Sequence, residues 1–185
     1  MIWNNHWNLK NEHAFLGASK FHWINYSPEK LEDAYVKFRS VKRGTELHEY
    51  ARQAIKLGIK QRGNRQTLSA YINDAIGYRM TPEQVLYYSD NCFGTADAIS
   101  FRDGILRIHD LKTGTIPAHM EQLMIYAALF CLEYRVKPGT IKIELRIYQN
   151  DDVQIFQPEA DDILPIMSKI EAYDKIIEKM KQMEG

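Results

Sequence analysis

The chain has 185 residues and 45% apolar content, the size of one domain with enough apolar matter for a real core. Lys+Arg and Asp+Glu number 24 each, so overall charge draws the molecule toward neither nucleic acid nor membrane. The two cysteines, Cys92 and Cys131, have no CxxC spacing and speak against zinc or iron–sulfur centres. The absence of a signal-like start or a membrane-length apolar run points to a reducing cytoplasm.

The first dozen residues, rich in Asn, His and Trp, read as irregular. Ser27-Pro28-Glu29 then has the form of an N-cap followed by proline at the first helical position, with Leu31, Ala34, Tyr35 and Phe38 at helical spacing. A break near Gly44 is expected, and a second helix through Leu47, Ala51, Ala54 and Ile55 ends around Gly58. A weaker helix covers Leu68 to Ile76, and Val85 to Ser89 reads as a short strand. A hairpin follows, with alternation through Ile99, Phe101, Ile105, Arg107 and His109 and a turn at Arg102-Asp103-Gly104. After Pro117 an apolar helix runs to about Tyr134. Ile141 to Tyr148 alternates as a strand, with Val153 to Phe156 as its partner. A final amphipathic helix carries Ile163, Ile166, Met167, Ile170, Tyr173, Ile177 and Met180, a stripe read as core contact. The order of helices, three strands, helix, two strands and helix makes an α/β domain.

Charge is unevenly spread. Nine basic residues lie between Lys37 and Arg65 against Glu46 and Glu49, whereas the stretch from Asp151 onward has nine acidic residues and four lysines. Lys42, Arg43, Arg52, Arg62 and Arg65 are thereby candidate contacts to a polyanion, the plainer alternative being a solvated helix face.

The densest chemistry lies between Gly94 and Tyr126. On the hairpin Asp97 falls near the start of one strand and Asp110 near the end of the other, so pairing brings them together. Lys112 is two residues from Asp110 and shares its face. Two carboxylates and an ammonium so grouped suit a hard divalent cation and a phosphate. Taken singly, Asp97 reads as a turn or cap residue; the plainer alternative for Asp110 with Lys112 is a surface ion pair, but the apolar strand around Asp110 makes an unpaired charge there expensive and favours a functional role. His48 is structural by default, yet beside a carboxylate pair it becomes a nitrogen ligand for a metal that accepts mixed coordination. Gln122 and Tyr126 lie one helical turn apart on one face. His6, His13 and His22 are irregularly spaced and read as structural or substrate-facing.

Four pieces in order, Gly44-x-x-x-His48, Gly94-Thr95-Ala96-Asp97-Ala98, Asp110-Leu111-Lys112-Thr113-Gly114 and Gln122-x-x-x-Tyr126-Ala127, resemble the RecB-like branch of the PD-(D/E)XK nuclease superfamily. The stretch from Gly94 to Leu129 is similar to small stand-alone nucleases of bacteriophages and prophages, and Ser19 to Ser27, with Trp23, resembles the family's helical entry. The resemblance implies a mixed central sheet flanked by helices within one domain over 1–185, its N-terminal portion, 1–80, mainly helical and its catalytic core at 81–185. It makes Asp97, Asp110, Lys112, Gln122 and Tyr126 the catalytic set, and His48, Asp97, Asp110 and the Leu111 carbonyl the ligands of Mg²⁺ or Mn²⁺. Lys112 would position or activate the attacking water. Ala96 replaces the proline that names the superfamily, and with no cluster cysteines an iron–sulfur centre does not carry over.

The implied activity is hydrolysis of DNA phosphodiester bonds, as an exonuclease in phage recombination or DNA processing in the host cytoplasm. Its partner is DNA rather than a membrane, with a homo-oligomer or a phage recombination protein suggested by analogy alone. The alternatives are a catalytically silent DNA- or partner-binding module on the same fold and a structure-selective endonuclease.

Overall fold

In the computed structural model residues 14–62 and 66–184 are described. The chain divides into two compact units, Met1–Thr45 and Glu46–Gly185, with the boundary inside the first long helix.

In the first unit a 3₁₀ segment, Ala18–Asn25, is tied by Trp23 Nε1 donating to the Gly17 carbonyl at 3.1 Å. Phe15 packs its ring against Tyr35 and Phe38, with centroids 5.1 and 5.3 Å away. Helix α1, Pro28–Leu57, begins as its sequence suggests, with the Lys30 N–H donating to Ser27 Oγ at 3.3 Å. The break expected near Gly44 is absent, because one glycine costs a helix interior only about 1 kcal/mol and no proline reinforces it. The helix stops at Gly58, whose φ of +65° is the left-handed value favoured just past a helix end.

The second unit is built on a five-stranded sheet in the order β1-β2-β3-β4-β5. The strands are β1 Thr81–Ser89, β2 Cys92–Arg102, β3 Ile105–Leu111, β4 Lys142–Gln149 and β5 Asp152–Phe156. All neighbours are antiparallel except β3 and β4, which run parallel and are joined through helix α3, Glu121–Glu133. Helix α2, Thr67–Gly77, precedes the sheet and α4, Ala160–Glu184, ends it. This mixed sheet flanked by helices is the α/β fold expected. The β2–β3 turn falls where the sequence puts it, with φ of 52° at Asp103 and 72° at Gly104, the values of the turn that matches strand twist.

Alternation splits the core between the two sheet faces. Leu106, Ile108, Ile143, Leu145 and Ile147 pack with Leu123, Ala127 and Ile163 from α3 and α4. Leu111 and Tyr148 pack on the other face with Ala51, Ala54 and Ile55 of α1 and Tyr71, Ile72 and Ala75 of α2. The β4–β5 turn also holds α2: Asp151 Oδ1 accepts from the Thr67 N–H at 2.9 Å, a carboxylate on a helix N-terminus.

Beyond the unbroken α1, two boundaries and one burial reading differ from the sequence reading. Strand β1 starts at Thr81 rather than Val85; it takes in Pro82 because β1 is an edge strand, where proline is tolerated. Helix α3 starts at Glu121, leaving 112–120 as a loop. The stripe on α4 is core only in part. Ile163 is buried and Ile166, Met167 and Ile170 pack against the core, but Tyr173 and Met180 are 60% and 55% exposed. Past Ile170 the helix is held to the β1–β2 turn by polar contacts, Ser89 and Asn91 donating to Asp174 and Asn91 to Glu178, and an apolar groove of about 480 Å³ is lined by Ile125, Ile166, Ile170, Tyr173 and Ile177. Among the described residues no helix is long and apolar enough to cross a membrane.

Candidate active site

Strand register assembles the site. Pro82 pairs with Ala98 and Gln84 with Ala96, so Glu83 lies opposite Asp97. Ala98 pairs with His109, so the next position along β2 and β3 sets Asp97 opposite Asp110. Three carboxylates thus run in one row across three neighbouring strands. The row coincides with an irregularity. Ala96 joins the core under α3 and Ala98 the core under α2, although residues two apart on a regular strand share a face. Glu83, across the ladder, has φ 54°, a left-handed value uncommon outside glycine.

Asp97 is held in place by the Leu111 N–H, which donates to Oδ2 at 2.9 Å, and His48 Nδ1 stands 3.4 Å from the same oxygen. Burial, and next the Asp110 charge, push the Asp97 carboxyl up to about 6; the Leu111 N–H and His48 oppose this, and Glu83 adds to it. Asp110 is 2% exposed. Lys112 Nζ donates to Asp110 Oδ1 at 3.2 Å and lies 3.0 Å from Oδ2, yet Oδ2 accepts no hydrogen bond. Lys112 also donates to Gln122 Oε1 at 2.9 Å, and Gln122 Nε2 donates to Tyr126 Oη at 3.1 Å. A relay of Asp110, Lys112, Gln122 and Tyr126 therefore links β3 to α3. Gly94 serves this relay: a Cβ there would meet the Tyr126 ring, so the small residue admits a side chain of the protein itself.

The donor set fits a divalent cation. His48, Glu83 and Asp97 each offer a ligand atom, all within 4.8 Å of one another, while Asp110 stands outside this group with both carboxylate oxygens facing Lys112 Nζ at 3.2 and 3.0 Å. Carboxylate oxygens suit hard cations such as Mg²⁺ and Mn²⁺, and a histidine nitrogen beside them suits Mn²⁺ better than Mg²⁺. Of Leu111, named from the sequence for its carbonyl, the observed link to the site is its N–H on Asp97.

The basic residues named from the sequence have these surroundings. Arg52 is committed to Glu49, with Nε 2.8 Å from Oε2. Lys42 and Arg43 belong to the first unit and are exposed, as is Arg62 in the second. Arg65, like His6 and His13, lies outside the described residues. The apolar groove beside α4 is lined by none of His48, Glu83, Asp97, Asp110 or Lys112.

Two contributors were missed from the sequence. Glu83 was hidden behind Pro82; extending β1 back through that proline in register with β2 would have found it. Gln149 is the other. Nearly buried at the end of β4, it donates from Nε2 to the Gly114 and Ile116 carbonyls at 2.6 and 2.7 Å, and its Oε1 accepts from the Ala118 N–H at 3.1 Å. It clamps the loop that follows Lys112. Beneath the site, His109 is fully buried beside Tyr148, its Nδ1 3.2 Å from the hydroxyl, and burial, with Arg146 and Arg107, lowers it to about 3.

A family model described as "Protein of unknown function (DUF2800)" matches residues 83–183, from Glu83 in β1 through most of α4. No curated protein matches, and no solved structure matches.

Proposed function

This chain belongs to the DUF2800 family, and we propose that it is a divalent-metal-dependent DNA nuclease of RecB-like type. Within that reading it is an exonuclease of phage recombination or DNA processing. One observation carries it: Asp97 and Asp110 are opposed in register, with Lys112 on the face of Asp110 and tied into the Gln122–Tyr126 relay.

Phosphodiester hydrolysis needs an activated water, an electrophile at the phosphoryl oxygen and help for the leaving alkoxide. A bound Mg²⁺ or Mn²⁺ supplies the Lewis acid and makes water more acidic. His48, Asp97 and Asp110 would hold it. The Leu111 N–H fixes the Asp97 carboxylate, so the ligand is aimed before cation or substrate arrives. Lys112 cannot ligate while protonated; its Nζ donates to Asp110 and Gln122, and from there it can orient a water and offset charge developing on the phosphoryl group. Gln122, braced by Tyr126, sets the direction of that ammonium. Gln149 limits movement of the loop behind it.

The test uses purified protein with end-labelled linear DNA and covalently closed circular DNA, each with Mn²⁺ and with EDTA. Metal-dependent loss of label from linear DNA alone is the expected result. Cleavage of closed circles would replace the exonuclease reading with an endonuclease. No cleavage of either, with DNA still bound, would make the protein a silent binding module.

A further inference from the structure

Over about its last three turns, α4 is the reverse of an ordinary surface helix, polar toward the protein and apolar toward solvent. Asp174, Glu178 and Lys181 share the inward face. Ser89 Oγ and Asn91 Nδ2 donate to Asp174 Oδ1, Asn91 Nδ2 donates to Glu178 Oε1 at 2.6 Å, and Lys181 Nζ donates to Asn91 Oδ1. The other side carries Tyr173, Ile176, Ile177, Met180 and Met183, with exposures from 39% at Ile177 to 87% at Met183. An apolar patch held outward in this way marks an interaction surface. We propose that this side of α4 pairs with α4 of a second copy of the chain, antiparallel across a twofold axis.

The occupant is a second copy because the seam complements itself. Ile163, Ile166, Ile170, Tyr173, Ile177 and Met180 alternate steps of three and four residues, the spacing of a helix-pair seam. The core covers its first half, Ile163, Ile166 and Ile170, and leaves the second half open. An axis between Glu178 and Lys179 sets Ile177 opposite Met180 of the partner subunit. Ile176 then falls beside the partner subunit's Met183 on one flank, and Asp174 beside the partner subunit's Lys181 on the other. One flank is apolar and the other joins opposite charges. A parallel pairing loses this match, since it sets Ile176 against Lys181 of the partner subunit.

The charged flank has capacity to spare. Both bonds from the β1–β2 turn fall on Asp174 Oδ1, and among the described residues Oδ2 accepts none. Lys181 bonds Asn91 and Glu178 within its own chain and, with three donors, can still reach a carboxylate across the axis. Tyr173 and Ile177 also line the groove of about 480 Å³ beside Ile125, so the partner helix ends against an apolar recess. The contact spans about two heptads and covers less than the roughly 800 Å² per partner of a standard interface, so association is expected in the micromolar range. It uses no residue of the metal site, and it stands or falls separately from the nuclease reading.

Sedimentation velocity of the full chain over about 1–300 µM, without metal or DNA, tests this. The mass should rise from one chain to two across that range. Met180→Glu, a change at an exposed position, should raise the dissociation constant about tenfold or more. Lys181→Glu and Asp174→Lys each set like charges together across the axis, so each alone should stay monomeric. An equal mixture of the two should dimerise, because every charge then meets its opposite. Circular dichroism shows which variants are folded; if Asp174→Lys unfolds with the loss of its bonds to Ser89 and Asn91, Met180→Glu and Lys181→Glu decide the question. A one-chain or three-chain mass in the wild type, or wild-type association in Met180→Glu, would overturn the inference. A mixture of folded charge variants that stays monomeric would overturn it as well.

Discussion

A β-carbon on Gly94 would stand 2.8 Å from Cε1 of Tyr126, closer than side chains pack. That contact joins β2 to α3 at the point where Tyr126 braces Gln122, and through it Lys112. Gly94→Ala should therefore tilt the ring and loosen the relay. We expect a stability loss of about 1–3 kcal/mol, typical of overpacking, together with slower cleavage. Urea unfolding and single-turnover rates check it, and Tyr126→Phe, which keeps the ring, should slow cleavage with a smaller stability loss. Wild-type stability and rate in Gly94→Ala would show that the ring yields freely.

Lys112 faces the buried Asp110 carboxylate, so its removal should act in two ways. Lys112→Ala should lower the cleavage rate by about 10²–10⁴ with KM nearly constant, the pattern of a lost transition-state contact. In EDTA it should also lose stability, by about 1–3 kcal/mol, because Asp110 is left without its cationic partner. Mn²⁺ should restore much of that stability but not the rate. A variant that cuts normally would reduce Lys112 to a structural ion pair.

The pH dependence of metal-free stability has two opposed parts. Asp97 is raised from its ordinary 3.8 to about 6, so between these values the folded state holds a proton that the unfolded state has released. Its stabilising contribution is present at low pH and lost as pH rises through about 6. His109 is lowered from 6.5 to about 3, so there the unfolded state binds the proton first. That contribution is present above pH 6.5 and lost as pH falls toward 3. Denaturant titrations in EDTA from pH 4 to 8 should show Asp97→Asn removing the decline toward pH 6, and His109→Gln weakening the loss on the acid side.

DNA affinity should depend on the basic residues that keep their charge free. Arg62→Glu should weaken binding across all sequences and flatten the salt dependence by about one unit of slope. Arg52→Ala should do less, since Glu49 already accepts from its guanidinium. Fluorescence anisotropy over a salt series reads both. Equal effects at the two positions would mean that DNA draws Arg52 away from Glu49.

Gln149 makes a subtler prediction. Gln149→Leu keeps the volume but leaves the Gly114 and Ile116 carbonyls and the Ala118 N–H without their partner. The loop after Lys112 should exchange its amide hydrogens faster, and the cleavage rate should fall by less than in Lys112→Ala. Unchanged exchange over 113–118 would show that the loop holds itself.

The hairpin that opposes Asp97 to Asp110 was legible in the sequence, because alternation and the Asp103-Gly104 turn set its register within one short segment. The same local rules located the start of α1 at Ser27, its end at Gly58 and the alternation of β4. They failed where distant parts of the chain decide the outcome. Pro82 ends a strand in isolation but is harmless on an edge, so only the sheet order brings Glu83 opposite Asp97. The small residue at Gly94 is explained by a ring on α3, and the polar Gln149 by a loop that packs beside β4. The apolar stripe of α4 has one uninterrupted period, yet its packing on the core stops after Ile170, and beyond it Asp174 and Glu178 accept hydrogen bonds from the β1–β2 turn. Period, turns and caps are local properties of the chain; which face is covered, and which residues meet across strands, belong to the assembled sheet.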